Sequence, residues 1–149
     1  MDNLKGLHRE WAVKLFNETW DLIDKKDRTN DEDSQMLEKS YASLYHWRQC
    51  GTPLNVARGQ WQISRANALL EKGDSSLFHA RRSLEICEEN NIGDFDLAFA
   101  HEAMARAYAV QGNKKLSLNS VAKAEKASES IGKEEDRTYF LSELKSIYY

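Results

Sequence analysis

The sequence predicts an all-α protein of about seven helices, on three observations. Apolar residues recur three and four apart almost throughout, and no stretch alternates strictly enough for a half-buried strand. The chain's one proline, Pro53, stands after Gly51 and Thr52, where a helix would begin. Most of the seven glycines fall where one periodic stretch stops and the next starts.

The first helix is expected from about Asn3 to Lys25, with Leu4, Leu7, Trp11, Leu15 and Leu22 on one stripe and Phe16, Trp20 and Ile23 beside it. The run "DKKDRTNDED" breaks it with solvated charge. The second starts near Asp31, its acidic first turn suiting the helix dipole, and carries Leu37, Tyr41, Leu44 and Arg48 along a face. "CGTPLN" is the clearest stop and start: Gly51 ends one helix, Thr52 caps the next and Pro53 takes its first position. That third helix reaches Lys72. Gly73 reads as its terminator and Asp74 as the next cap, and helix four packs Leu77, Ala80, Leu84 and Cys87.

Helix five begins near Asp94 and uses Leu97, His101 or Ala100, Met104 and Tyr108 until Gly112. Helix six presents Leu116, Ser120, Val121, Ala124, Ala127 and Ile131, with Gly132 after it. The seventh runs from Lys133 to the end, showing Phe140, Leu144 and Ile147 or Tyr148. Short turns make antiparallel hairpins the natural geometry. The 149 residues suit one domain, divided into a hairpin over 1–50, hairpins over 52–91 and 94–131, and a last helix over 133–149.

With 41% hydrophobic and 30% charged residues, the composition is that of a folded chain rather than a disordered one. The net charge of −3 is spread evenly and no third of the chain is a basic arm, which argues against nucleic acid as the partner. The lack of a signal-like start or of an apolar run long enough to span a bilayer argues against a membrane partner and for a reduced cytoplasmic setting. There Cys50 and Cys87 are small apolar fillers rather than halves of a disulfide.

Sliding the chain on itself at an offset of 39 lays "ANALLEKGDSSL" (66–77) over "ARAYAVQGNKKL" (105–116). Ala66, Ala68, Gly73 and Leu77 then meet Ala105, Ala107, Gly112 and Leu116. With Ala105, Tyr108 and Gly112 in that order, the chain resembles the tetratricopeptide repeat family, whose unit is a helix hairpin with small residues, a tyrosine and a glycine four residues later. The resemblance implies a right-handed α-solenoid of stacked hairpins with a capping last helix. It also implies a concave face lined by the first helix of each hairpin: Phe99, Glu102, Arg106 and Ala109, with Gln60, Ile63, Asn67 and Leu70 as equivalents. An asparagine at the place of Asn67 holds the ligand backbone in peptide-binding members. The function implied is non-catalytic binding of a protein or peptide partner, with no cofactor and no metal.

Other constellations each have a plainer role beside the functional one. In "ARGQWQISR", Arg58, Trp61 and Arg65 share one helix face and, with Arg81 and Arg82, would make an anion or small-ligand site if the guanidiniums converged. The plainer role is a packed indole with arginine stems on its edges and heads paired to acids. His46 and Cys50 have the spacing of a base and nucleophile, yet a helix C-terminus disfavours a thiolate. His79 and His101 lie in no metal-binding spacing, and the phosphate-binding glycine patterns are absent. Trp11, Trp20, Trp47 and Trp61 are the only tryptophans and all fall in the N-terminal part of the chain, as a thick core, an aromatic binding wall or a homo-oligomer face.

Overall fold

A computed structural model describes residues 2–147, and over these the chain forms seven helices and no strand. They are α1 (Asp2–Asp24), α2 (Asn30–Cys50), α3 (Pro53–Leu69), α4 (Gly73–Glu89), α5 (Asp94–Val110), α6 (Lys114–Ser128) and α7 (Glu134–Lys145). Tyr148 and Tyr149 lie outside the described residues. No described helix is long and apolar enough to cross a membrane.

Local chemistry sets the starts. Thr29 and Glu32 form a reciprocal capping box ahead of α2, Thr29 Oγ1 accepting from Glu32 N–H at 3.1 Å and Glu32 Oε1 from Thr29 N–H at 3.0 Å. Thr52 and Asn55 do the same ahead of α3, with Pro53 inside the first turn. At α4 the expectation needs correcting. Helix α3 stops at Leu69, Glu71 takes the left-handed conformation at φ 59°, and Gly73 opens α4, so Asp74 sits inside the first turn instead of capping it. Asp74 Oδ1 accepts a 2.8 Å hydrogen bond from Gln111 Nε2.

Each helix packs on its chain neighbour, α3 also touches α5, and α1 touches α3. Helix α7 lies against both α5 and α6. Serine hydroxyls mark the seams. Ser43 Oγ donates to the Ala12 carbonyl at 2.8 Å between α1 and α2, and Ser83 Oγ to that of Ala57 at 2.9 Å between α3 and α4. One level along, Ser76 Oγ donates to Ser64 O at 2.9 Å and Ser117 Oγ to Ala105 O at 2.8 Å. Residues this small let backbones approach until a hydroxyl reaches across.

These contacts fix which residues of the hairpins correspond. Ser64 and Ser76 match Ala105 and Ser117, and the left-handed Glu71 matches Gly112 (φ 78°). The register is therefore two places longer than the one that aligned the glycines. Glycine at 73 answers a different need: a Cβ there would lie 2.7 Å from Gln111 Cγ, where the α3–α4 turn meets the α5–α6 turn.

The packed face of α1 also differs from the expected stripe. Leu4, Leu7 and Trp11 are exposed, while Ala12, Thr19 and Ile23 are buried. The stripe that packs is the one small enough for α2 to close upon. Helix α5 is buried nearly all round, and the largest core cluster joins its Ala98, Phe99 and Ala105 to Phe140, Leu144 and Ile147 of the C-terminal segment. Cys87 is buried and Cys50 partly so, and both are free thiols.

Candidate functional site

Helices α1, α3, α5 and α7 bring six aromatic rings around an open cavity of about 200 Å³. Phe16 and Trp20 come from α1, Trp61 from α3, Phe95 and Phe99 from α5, and Tyr139 from α7. Trp20 and Trp61 are 5.4 Å apart between centroids and tilted by 36°. Trp61 meets Phe99 edge to face at 5.5 Å and 81°, and Phe95 lies 4.6 Å from Phe99. Tyr139 stacks near Phe95, 6.5 Å away at 15°, and is half exposed. Edge-to-face and offset pairs of this kind hold rings in place without closing the space between them.

Arg58, Asp96 and Ser83 of the cavity wall have partners within the protein. Arg58 donates from Nε and Nη2 to the two oxygens of Asp96, at 2.8 and 3.1 Å, and this hydrogen-bonded pairing raises the arginine's pKa further. Ser83 Oγ is committed to the Ala57 carbonyl. Burial, helped by the nearby Asp96 and Glu88 carboxylates, pushes the Cys87 thiol up to about 11. Tyr139 is raised by burial first and then by Glu143.

Beside the cavity lies a charged network that ties α7 to the stack. Fully buried Glu102 receives Arg106 Nε and Nη2 on one carboxylate oxygen, at 2.8 and 2.6 Å, with Arg65 Nη1 3.5 Å from that same oxygen. Arg65 Nη2 reaches Glu143 of α7 at 2.6 Å, and Arg106 Nη2 also donates to Glu143 O and Ser146 Oγ. Arg65 and Arg106 occupy the same register in their hairpins, and both point to α7. Trp61 Nε1, Arg65 Nη1 and Glu102 Oε1 are buried without a hydrogen-bond partner.

The register set by the serine seams relocates the equivalent face of α3. Phe99, Glu102, Arg106 and Ala109 correspond to Arg58, Trp61, Arg65 and Ala68, not to Gln60, Ile63, Asn67 and Leu70. Gln60, Ile63 and Asn67 are buried on another side of α3. Gln60 Oε1 hydrogen-bonds His79 Nδ1 at 2.7 Å, Asn67 Nδ2 donates to Ile63 O in its own helix, and Leu70 packs with Ile23 and Met36. Phe99, Glu102 and Arg106 do face the cavity side, where α7 covers Glu102 and Arg106. Trp61 combines the two roles open to it, packed against Phe99 and Trp20 yet still forming the cavity wall.

The four arginines do not converge. Arg58 pairs with Asp96, Arg65 with Glu143 and Glu102, Arg82 with Glu85, and Arg81 stands exposed on α4. The four tryptophans also separate: Trp47 is core, Trp11 is exposed, and Trp20 and Trp61 share the cavity.

The histidines are held by structure. Cys50 Sγ donates to the His46 carbonyl in its own helix at 3.3 Å, while the His46 ring meets His8 of α1, Nδ1 to Nδ1, at 2.8 Å. His79 lies between Gln60 and the Tyr41 hydroxyl, and its pKa is lowered to about 4 by burial, with Arg48 adding to the shift. Among the described residues no group of three or more His, Cys, Asp or Glu side chains is placed to hold a metal ion.

Phe16, Phe95 and Tyr139 were not singled out as site residues by sequence reasoning, and Trp20 was offered as one only among the four tryptophans of an aromatic wall. Trp61 was named in "ARGQWQISR", and in the register of the serine seams it aligns with Glu102. No protein-family model, no curated protein and no solved structure matches this chain.

Proposed function

We propose that this protein is a non-catalytic binding module of the tetratricopeptide type, a right-handed stack of helix hairpins that takes a short protein segment on its concave face. The observation that carries this reading is the aromatic-walled cavity formed by the first helices of successive hairpins together with α7. A preformed, mostly apolar concavity with few polar groups is the usual form of a recognition site. Serine seams recurring at matched positions of the α3–α4 and α5–α6 hairpins support the repeat architecture, and α7 takes the place of a cap. The interacting residues in this reading are Trp20, Arg58, Trp61, Phe95 and Tyr139, and those with α7 over them serve to hold the cap.

Panning a random peptide library against the immobilised protein tests the reading. The expected result is a family of selected peptides whose binding falls at least tenfold in Tyr139→Ala, a half-exposed position, in protein whose circular dichroism shows it folded. Failure to select any peptide, or selected peptides indifferent to both Tyr139→Ala and Arg58→Ala, would overturn it.

A further inference from the structure

We infer that the cavity between α1, α3, α5 and α7 accepts an uncharged one- or two-ring aromatic side chain of the partner segment. This rests on the binding-module reading above and names the chemistry of its anchor.

Size comes first. The free space is about 200 Å³, and an apolar protein cavity of about 150 Å³ holds a benzene molecule. A phenyl or indole ring fits that range, whereas a methyl or an isopropyl group leaves most of it empty.

The walls decide between ring and aliphatic chain. Trp61 stands at 36° to Trp20 and at 81° to Phe99, and Tyr139 lies nearly parallel to Phe95. Rings set at such varied angles around one space let an incoming ring pair edge to face or offset with its neighbours, a quadrupole gain that an aliphatic group of equal area lacks. The expected preference is severalfold.

Charge decides between a neutral and an ionic group. Asp96 already accepts two hydrogen bonds from Arg58 on the cavity wall, and the Ser83 hydroxyl is committed to a backbone carbonyl. The high pKa of the Cys87 thiol keeps it neutral. A carboxylate or phosphate entering among the rings would shed its water with no free counter-charge to meet it, and an ammonium, although ring faces attract it, would do so with the one carboxylate of the wall already held by Arg58.

The protein carries its own reporters. Trp20 and Trp61 border the cavity, while Trp47 is in the core and Trp11 is on the surface. The test follows the four indole N–H resonances by NMR during titration with N-acetyl amides of tryptophan, phenylalanine, leucine and lysine. The tryptophan and phenylalanine amides are expected to move the Trp20 and Trp61 signals saturably, with Kd on the order of 1 mM. Leucine amide should bind at least fivefold more weakly and lysine amide not at all, with Trp11 and Trp47 unmoved. Tyr139→Ala should weaken the aromatic amides, and unchanged spectra elsewhere would show it folded.

Equal or stronger binding of the leucine or lysine amide, movement centred on Trp11 or Trp47, or no saturable shift overturns the assignment. Library-selected peptides separate the two levels. Peptides that need Tyr139 and Arg58 but survive alanine replacement of every aromatic residue would remove the ring and leave the binding module. Aromatic amides that bind while no peptide is selected would keep the ring pocket as a small-molecule site and remove the module.

Discussion

Glu143 on α7 lies 2.6 Å from Arg65 on α3, so a carboxylate near the C-terminus is tied to a guanidinium in the middle of the chain. The contact is long-range in sequence and partly buried, with side-chain exposures of 23% for Glu143 and 12% for Arg65. Removing the Glu143 charge leaves Arg65 with its longer approach to Glu102 and the face of the Trp61 ring. Glu143→Gln is expected to lower stability by about 1 to 3 kcal/mol. Faster hydrogen exchange should be confined to amides of α7, and a uniform rise across all helices would contradict the assignment.

The turn register gives opposite outcomes at two neighbouring positions. Glu71 is left-handed, so Glu71→Gly should stabilise the protein by about 0.5 to 1 kcal/mol. Gly73→Ala should destabilise it by about 1 to 2 kcal/mol, because the new methyl group meets Gln111, and Gln111→Ala should recover part of that loss. Urea denaturation of the three variants and the double mutant is the check.

If the seams are equivalent, their hydroxyls should be too. Ser43→Ala, Ser83→Ala and Ser117→Ala each remove one hydrogen bond to a facing carbonyl and should each cost about 0.5 to 1.5 kcal/mol. The sites are in different hairpins, so the triple variant should show the sum. A cost at only one site would mean the contacts are not alike.

His79 contributes a pH dependence of known sign. Its folded pKa of about 4 lies below the ordinary value of 6.5, so between these values the unfolded chain binds the proton more readily. Stability is full above about pH 6.5 and falls as the pH drops toward 4. The loss is on the order of 1 kcal/mol once solvent screening at this partly exposed ring is allowed for. His79→Gln should flatten that part of the profile, leaving the contributions of His46 and His101, which are lowered in the same direction. Urea midpoints measured at intervals from about pH 4 to 8 for both proteins test this.

Much of the fold was legible in the chain. Gly51, Thr52 and Pro53 mark the α2–α3 junction because a cap and a proline act within one turn of backbone. The all-helical class and the start of α5 near Asp94 follow equally from local spacing. The correspondence between the α3–α4 and α5–α6 hairpins was less accessible, because aligning the two glycines by identity places Gly73 over Gly112, while the residue that matches Gly112 in conformation is Glu71. Two residues of slip turn a helix by about 200°, enough to exchange Trp61 for Ile63.

The sequence by itself determined the seven helices, the Thr52 cap of α3 and the absence of strands among the described residues, since these depend on interactions within a few residues. Tertiary structure decided which face of each helix is inside. In α1, hydrophobicity marked Leu4, Leu7 and Trp11, but close approach to α2 selected Ala12 and Thr19, where small side chains let the backbones meet. The cavity likewise depends on rings from four helices, and no local pattern specifies that Trp20, Trp61, Phe95 and Tyr139 will share one space. That meeting is set by the distance to which serine and alanine seams allow the helices to close.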